Sequence, residues 1–314
     1  MTARLTRRPG GPARLRALLD SGQLIVAPGA FDPLSARLVE EAGFPAVYMT
    51  GFGTSAALIG RPDVGLLTMT EMAGNAGRIA ACVDIPVIAD ADTGYGNPLN
   101  VIRTVGAYEA AGAAGIHIED QVAPKKCGHL EGKLVIPAEE MAEKVRATVD
   151  ARTQPEFVII ARTDARAVEG LERSIERGRI YREAGADVLF IEALTSEAEA
   201  EEAVRALPDV PLLFNWAEGG KTPPISLDRL TEMGYRIVIF PIGTLLAATG
   251  AMRRILQEIA QAGTPAAAIR ELPTFAEFVD FIGLPQVREA EQRYAVKASD
   301  APGPETGGAD GSDI

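Results

Sequence analysis

Eight short apolar runs recur along the chain, and each is followed by a segment with the apolar spacing of an amphipathic helix. The runs are rich in Val, Ile and Leu and are apolar throughout, which is typical of strands buried on both faces of a parallel sheet. We therefore predict eight parallel strands, which lie in LIVAPGA (24–30), AVYMTG (46–51), PVIADAD (86–92), GIHIED (115–120), FVIIARTD (157–164), DVLFIEA (187–193), PLLFNWAEGG (211–220) and RIVIFP (236–241).

The segments between these runs predict the helices that connect parallel strands. Four of them end in a glycine just before the next strand, the expected position of a left-handed C-cap, at Gly43, Gly112, Gly185 and Gly234. Eight consecutive strand–helix units favour a (β/α)8 TIM-type barrel, although the pattern alone leaves an open doubly wound sheet possible. No GxGxxG or Walker-type GxxxxGK motif follows a strand, which disfavours a dinucleotide or P-loop site.

The chain continues beyond the eighth strand with more helical sequence than one barrel needs, in residues 245–264 and 272–296. The second segment has an apolar face that needs cover, made by Leu272, Phe275, Phe278, Val279 and Ile282. We expect these helices to pack on a neighbouring subunit, with packing on their own barrel as the open alternative. The predicted organisation is a flexible N-terminus (1–12), a single barrel domain with extra C-terminal helices (13–297) and a disordered tail (298–314).

The composition of the chain disfavours several kinds of binding partner and a secreted, disulfide-rich class of protein. The chain has 314 residues and a formal net charge of −12, and its Lys and Arg residues are scattered, which disfavours nucleic acid as a partner. Two cysteines cannot form the disulfide framework of a small secreted domain, and no apolar run of about 20 residues is present to cross a membrane. We therefore expect a cytoplasmic protein that has no membrane partner and acts on a small molecule.

Acidic residues collect at the predicted strand ends, where a barrel carries its reactive groups. Asp90 and Asp92 are two residues apart on a predicted strand, so we expect their carboxylates on one side, and Glu119 ends the next strand. This all-oxygen set suits Mg²⁺ or Mn²⁺ held partly through water. The alternative is that the acids cap helices or anchor loops.

Arg162 ends the fifth strand, where an inward guanidinium could bind a substrate carboxylate, unless it pairs with Asp164 or Glu192. His117 lies within the fourth strand and is either a core histidine or a partner of the site residues, and we favour the second.

Cys127 lies in a long polar connection that is typical of a functional lid. Lys125, Lys126 and His129 surround it in sequence, a setting that predicts a lowered thiol pKa. We therefore expect Cys127 to act as a nucleophile or an acid/base group, with Lys125 and His129 as further catalytic candidates. Cys82 borders an apolar helix end and is expected to be inert packing.

Seven motifs occur in the order found in a known superfamily: YMTG, GRPDVG, DADTGYGN, HIEDQ, KKCGH, ARTDA and NWAEGGKTP. In these motifs, from about Leu24 to the C-terminal helices, the chain resembles the isocitrate lyase and phosphoenolpyruvate mutase superfamily, closest to its methylisocitrate lyase and 2,3-dimethylmalate lyase branch. The resemblance implies a (β/α)8 barrel that binds Mg²⁺ and exchanges its final helices between the subunits of a homotetramer.

The resemblance also implies roles for individual residues. Asp90, Asp92 and Glu119 resemble the magnesium-site carboxylates, and Cys127 resembles the acid of the lyase branch. Substrate-binding roles are implied for Thr50, Gly51 and Phe52, which match a segment that binds the carboxylate of an α-keto acid, and for Asp63, Arg162, Glu192 and Asn215.

The implied reaction is the retro-aldol cleavage of a 2-hydroxy di- or tricarboxylate into an α-keto acid such as pyruvate and a carboxylate. Tyr48 or a metal-linked water is the expected base, and Cys127 the acid. We rank a 2-alkylmalate substrate above 2-methylisocitrate, because the cation available for a third carboxylate is Lys126 and not an arginine. A phosphonomutase or an oxaloacetate decarboxylase ranks third, and a barrel without activity is disfavoured because all the acids and the thiol are present.

Overall fold

A computed structural model of the protein describes residues 10–295. The predicted disordered tail (298–314) lies outside the described residues, and so does the predicted flexible N-terminus apart from residues 10–12, where the first helix begins. Among the described residues, no helix combines the length and apolarity needed to cross a membrane.

Eight parallel strands close into a barrel in sequence order, with the last strand paired to the first, which confirms the predicted (β/α)8 architecture. All eight strands lie within the predicted runs: β1 Ile25–Ala30, β2 Val47–Met49, β3 Val87–Asp90, β4 Gly115–Glu119, β5 Val158–Thr163, β6 Val188–Ile191, β7 Leu212–Asn215 and β8 Ile237–Phe240.

One helix precedes β1, and the others lie between the strands or after β8 in the chain. They are α1 Gly11–Asp20, α2 Pro33–Glu41, α3 Gly51–Ile59, α4 Met69–Cys82, α5 Pro98–Ala111, α6 Ala138–Ala151, α7 Leu171–Glu183, α8 Glu197–Ala206, α9 Leu227–Met233, α10 Gly243–Ala262, α11 Phe275–Phe281 and α12 Leu284–Arg293. The glycines predicted as helix ends, Gly43, Gly112, Gly185 and Gly234, all have positive φ angles. The pattern did not predict α3 or α4, each of which contains two glycines, residues that disfavour a helix interior.

The apolar residues form two cores. One fills the barrel, where Ile88, Ile160, Phe190 and Leu213 are fully or almost fully buried, and Leu15 from α1 belongs to the same cluster. The other lies between the barrel and its helices and includes Met72, Val105 and Val145. Side chains inside the barrel therefore make it a packed core and leave the strand ends for polar groups.

The described chain forms two compact units, residues 10–254 and residues 255–295. In the second unit, Thr274 caps α11 through a reciprocal pair of hydrogen bonds with Glu277. Phe275, Phe278 and Ile282 are exposed, with Phe275 at 84%. Exchange of these helices between subunits concerns an assembly and stays a prediction.

Candidate active site

A cavity of about 740 Å³ opens at the carboxyl ends of the strands. Eleven of the fourteen predicted site residues line it: Tyr48, Thr50, Phe52, Asp63, Asp90, Lys125, Cys127, His129, Arg162, Glu192 and Asn215. The other three lie directly behind that lining, because Gly51 N–H donates to Asp90 Oδ2 (3.2 Å), Asp92 pairs with Lys125 and Glu119 pairs with Arg162.

The lining also includes residues that were not predicted: Gly128, Leu130, Ala217, Glu218, Gly219, Gly220, Pro241 and Ile242. Ala217–Gly220 belong to the NWAEGGKTP motif, and Pro241 and Ile242 follow the last strand, so motif and position at a strand end could have indicated them. Phe52, Leu130 and Ile242 give part of the cavity an apolar wall.

Asp90 and Asp92 do not occupy one face of a strand, which corrects the predicted geometry. Strand β3 ends at Asp90, and Asp92 follows in the left-handed region with a φ of 47°. The Asp92 backbone N–H instead donates to Asp90 Oδ1 (2.9 Å), so the turn itself holds the two residues together.

Lys125 binds two of the site carboxylates. Its Nζ lies 2.7 Å from Asp63 Oδ1 and 2.6 Å from Asp92 Oδ1. Burial opposes the charge of this ammonium, but Asp92, Asp90 and Asp63 outweigh it and raise the pKa of Lys125 well above its ordinary value. For Asp92 burial has the largest effect and raises the pKa to about 7, although Lys125 lowers it.

Burial also opposes the charge of Asp90, yet neighbouring His117, Lys125 and Arg162 lower the pKa of this carboxyl to about 2. Because burial lowers the pKa of His117 to about 4, His117 is neutral at pH 7 and the two cations keep Asp90 ionised.

Arg162 makes the ion pairs that the sequence left as an alternative. Its Nε and Nη2 donate to Asp164 (2.9 and 3.2 Å), and Glu119 and Glu192 oxygens each lie 3.3 Å away. The guanidinium also lies over the Phe190 ring, 5.0 Å from its centroid. Arg162 is therefore fixed by protein contacts while it still lines the cavity.

The carboxylates of the site fit a divalent cation. Neither Glu119 oxygen has a hydrogen-bond partner among the described residues, and burial raises its pKa well above the ordinary value. Five carboxylates pair with the three cations Lys125, Lys133 and Arg162, and Asp90 interacts electrostatically with Lys125; the five are Asp63, Asp92, Glu119, Asp164 and Glu192.

In the described part of the chain, no group of three or more His, Cys, Asp or Glu side chains is arranged to chelate an ion directly. The oxygen ligands that these carboxylates offer are of the kind that suits a hard cation such as Mg²⁺.

Cys127 lines the cavity, but its thiol pKa is raised to about 11, mainly by burial, and the predicted lowering is wrong. The two neighbouring lysines point elsewhere, because Lys125 binds Asp63 and Asp92 and Lys126 Nζ donates to Gly132 O (2.9 Å). Lys126 does not line the cavity. A thiol that keeps its proton suits an acid better than a nucleophile.

His129 connects the Cys127 segment to the loop after β7. Its Nδ1 accepts from Lys221 N–H (3.1 Å), and its Nε2 lies 3.3 Å from Glu192 Oε1. Burial lowers the His129 pKa, so a neutral ring with its proton on Nε2 satisfies both contacts. Asn215 Nδ2 donates to the same Glu192 carboxylate (3.1 Å).

Tyr48 and His117 form a buried pair, with 2.9 Å between Tyr48 Oη and His117 Nε2. This contact supports the interpretation of His117 as a partner of the site residues. Burial, and then Asp90, raise the pKa of Tyr48 well above its ordinary value. Tyr48 therefore keeps its proton at neutral pH, which argues against its predicted role as the base.

Residues 15–260 match the model of the phosphoenolpyruvate phosphomutase family. The chain belongs to this family. Among its curated relatives, a 2,3-dimethylmalate lyase of Eubacterium barkeri is 47% identical over 90% of this chain and 98% of that protein. A 2-methylisocitrate lyase of Aeropyrum pernix is 46% identical over 93% of both chains.

Solved structures of relatives have the same fold. An oxaloacetate acetylhydrolase in complex with 3,3-difluorooxaloacetate is 41% identical, with a TM-score of 0.86 over 92% of this chain and 98% of that one. A phosphonopyruvate hydrolase in complex with oxalate and Mg²⁺ is 35% identical, with a TM-score of 0.83 over 90% and 99% of the two chains.

Proposed function

We propose that this protein is a carbon–carbon lyase that cleaves a 2-hydroxy dicarboxylate of the 2-alkylmalate type into an α-keto acid and a carboxylate. One observation carries the proposal: a protonated thiol, Cys127, lines the same cavity as the cation Arg162 and the carboxylate Asp90. Relatives named 2,3-dimethylmalate lyase and 2-methylisocitrate lyase at 46–47% identity support this reaction class.

Arg162, Thr50 and Asn215 supply the polar contacts that hold the substrate carboxylate. Because Asp164 fixes two guanidinium nitrogens, Arg162 offers a positive edge whose direction is set before substrate arrives. Phe52, Leu130 and Ile242 form an apolar wall that suits alkyl substituents. Lys126 is absent from the lining, which supports a dicarboxylate over a tricarboxylate.

We propose that Asp90, Asp92 and Glu119 hold Mg²⁺, or Mn²⁺ in its place. Burial raises the pKa values of Asp92 and Glu119, and a divalent cation beside them would favour their ionised forms. When bound, the cation would lower the pKa of the substrate hydroxyl and polarise the adjacent carboxylate. The Mg²⁺ complex of the phosphonopyruvate hydrolase supports this assignment.

Cleavage then requires the hydroxyl proton to pass to a base, which would be a water held beside Asp90 and Asp92, and a carbanion to be protonated. As the C–O bond becomes a carbonyl, the adjacent C–C bond breaks and its electron pair moves to the carbon beside the second carboxylate. The Cys127 S–H transfers its proton to that carbon, and the thiolate is later reprotonated. The segment that carries Cys127 and His129 lines the cavity, where it would shield the carbanion from water. Tyr48 orients the site through His117 and does not remove the proton.

The direct test is a panel of 2-hydroxy di- and tricarboxylates, phosphonopyruvate and oxaloacetate, assayed with Mg²⁺ for release of α-keto acid and, with oxaloacetate, also for release of oxalate. Alkylmalates should be the best substrates, and Cys127→Ser should lower turnover by more than about 10²-fold, as expected for loss of a positioned acid. Cys82→Ser is the matched control, because Cys82 does not line the cavity. A fully active Cys127→Ser enzyme would remove the proposed acid.

The panel also separates the second candidate. The second candidate function is cleavage of oxaloacetate, which is supported by the 41% identity to an oxaloacetate acetylhydrolase. Turnover of oxaloacetate without turnover of alkylmalates would favour that class, and turnover of phosphonopyruvate alone would favour a phosphonate-specific enzyme.

The assembly is part of the proposal. We propose a cytoplasmic homotetramer in which the exposed Phe275 and Phe278 of α11 are covered by another subunit. Light scattering at several concentrations tests this, and a monomer at all of them would contradict it.

A further inference from the structure

We propose that Lys133 is a positioning residue that holds the Cys127 loop, residues 121–134, over the cavity, and that it does so through the same carboxylate that fixes Arg162. The kinetic part of this inference rests on the proposed lyase function, whereas the part that concerns the position of the loop does not.

The contacts of Lys133 join the middle of the loop to the barrel. Its Nζ donates to the carbonyl of Gly128, between Cys127 and His129, and to Asp164 Oδ1 at 2.8 Å. Only 2% of the side chain is exposed. A buried ammonium has to be paired, and these two acceptors supply the pairing.

Asp164 is itself held in place. Its backbone N–H donates to Asp120 Oδ1 (2.9 Å), and the hydroxyl of Thr163 donates to the other oxygen of that carboxylate (2.7 Å). The Asp164 carboxylate also accepts two hydrogen bonds from Arg162. One fixed carboxylate therefore sets the position of the substrate-binding cation and, through Lys133, of the loop that carries the thiol.

The loop lies directly on the substrate-binding residues at this point. A Cβ on Gly128 would be 2.5 Å from Arg162 Nη2 and 2.5 Å from Glu192 Cγ. The hydrogen bond from Lys133 to the Gly128 carbonyl stabilises this close approach of the Gly128 backbone. Without Lys133, the Gly128 carbonyl would lose its charged hydrogen-bond donor. Asp164 would lose one of the two cations that pair with it and would keep only Arg162.

The rate at which Cys127 is alkylated by N-ethylmaleimide at pH 8 tests the inference, with each cysteine followed by peptide mass mapping. Lys133→Met should raise the Cys127 rate by about tenfold or more, the effect of losing a charged hydrogen bond, and leave the Cys82 rate unchanged. Lys133→Arg keeps the charge and should fall between. Lys144→Met is the matched control, since this second buried lysine donates to Thr93 O (3.1 Å) and should leave Cys127 labelling unchanged.

Turnover distinguishes positioning from general stability. Lys133→Met should lower kcat with little change in KM, whereas Asp164→Asn, which also loosens Arg162, should lower kcat and raise KM. An unchanged Cys127 labelling rate in folded Lys133→Met would overturn the inference. If that variant does not fold, an unchanged rate in Lys133→Arg together with wild-type kcat would do so. Labelling works without any substrate, so failure of the lyase proposal would appear only in the turnover assay.

Discussion

Gly128→Ala is the sharpest test of how closely the Cys127 loop must approach the substrate-binding residues. An added methyl group would lie 2.5 Å from Arg162 Nη2, 2.5 Å from Glu192 Cγ and 2.6 Å from Glu192 Cδ. Ordinary van der Waals contact begins at 3.4 Å, so about 1 Å of movement is needed.

Neither neighbour can supply that movement easily. Asp164 holds Arg162 by two hydrogen bonds, and Glu192 accepts a hydrogen bond from Asn215 (3.1 Å). The loop itself must therefore retreat and take the Cys127 thiol with it. Because misplacing a catalytic group by about 1 Å can lower a rate by about 10²-fold, we expect kcat to fall by about that factor.

Steady-state turnover of the best substrate from the panel measures the effect, and circular dichroism confirms folding. Gly106→Ala is the matched control, because Gly106 lies in α5 with nothing within 4 Å of the added Cβ. In that helix the alanine should stabilise the protein by about 0.5–1 kcal/mol and leave kcat unchanged. Wild-type kcat in folded Gly128→Ala would refute the close approach of the loop.

Two further predictions concern the thiol and the metal. The rate of Cys127 alkylation should rise about tenfold per pH unit from pH 8 to pH 10, because burial raises the thiol pKa to about 11 and little thiolate is present below that pH. A rate that levels off near pH 9 would show an ordinary thiol pKa and contradict this prediction. Titrating chelator-treated protein with Mg²⁺ should raise Tm. At a Mg²⁺ concentration one hundred times Kd, the free energy of unfolding should increase by about 2.7 kcal/mol. Glu119→Gln should weaken this response, and an equal response in that variant would remove Glu119 from the metal site.

The barrel could be predicted because its signals are local. Each strand buried on both faces gives a short apolar run, and glycines such as Gly112 and Gly234 mark the helix ends. Closure then brings the strand ends together whatever their separation in sequence, so polar residues at those ends converge. This is why Asp90, Arg162 and Asn215, from three distant segments, line one cavity as predicted.

The directions of side chains could not be predicted in the same way. Lys125 and Lys126 precede Cys127 in the chain, yet they bind carboxylates and a backbone carbonyl, and burial governs the thiol. Asp92 follows Asp90 by two residues, yet a left-handed backbone replaces the strand between them. Sequence proximity gives neither the contact nor the dielectric environment that sets a pKa.

Lys133 shows why some functional residues are invisible in the sequence. A lysine in a polar, glycine-containing loop has the pattern of a solvated residue, and its burial depends on Asp164, 31 positions away. Asp164 in turn is fixed by Asp120, whose carboxylate lies one residue beyond β4. If these contacts fix the position of the Cys127 loop, then Asp164 couples two events, which are the binding of a substrate carboxylate at Arg162 and the closing of the loop over it. Changes at that residue should therefore affect substrate affinity and proton transfer together.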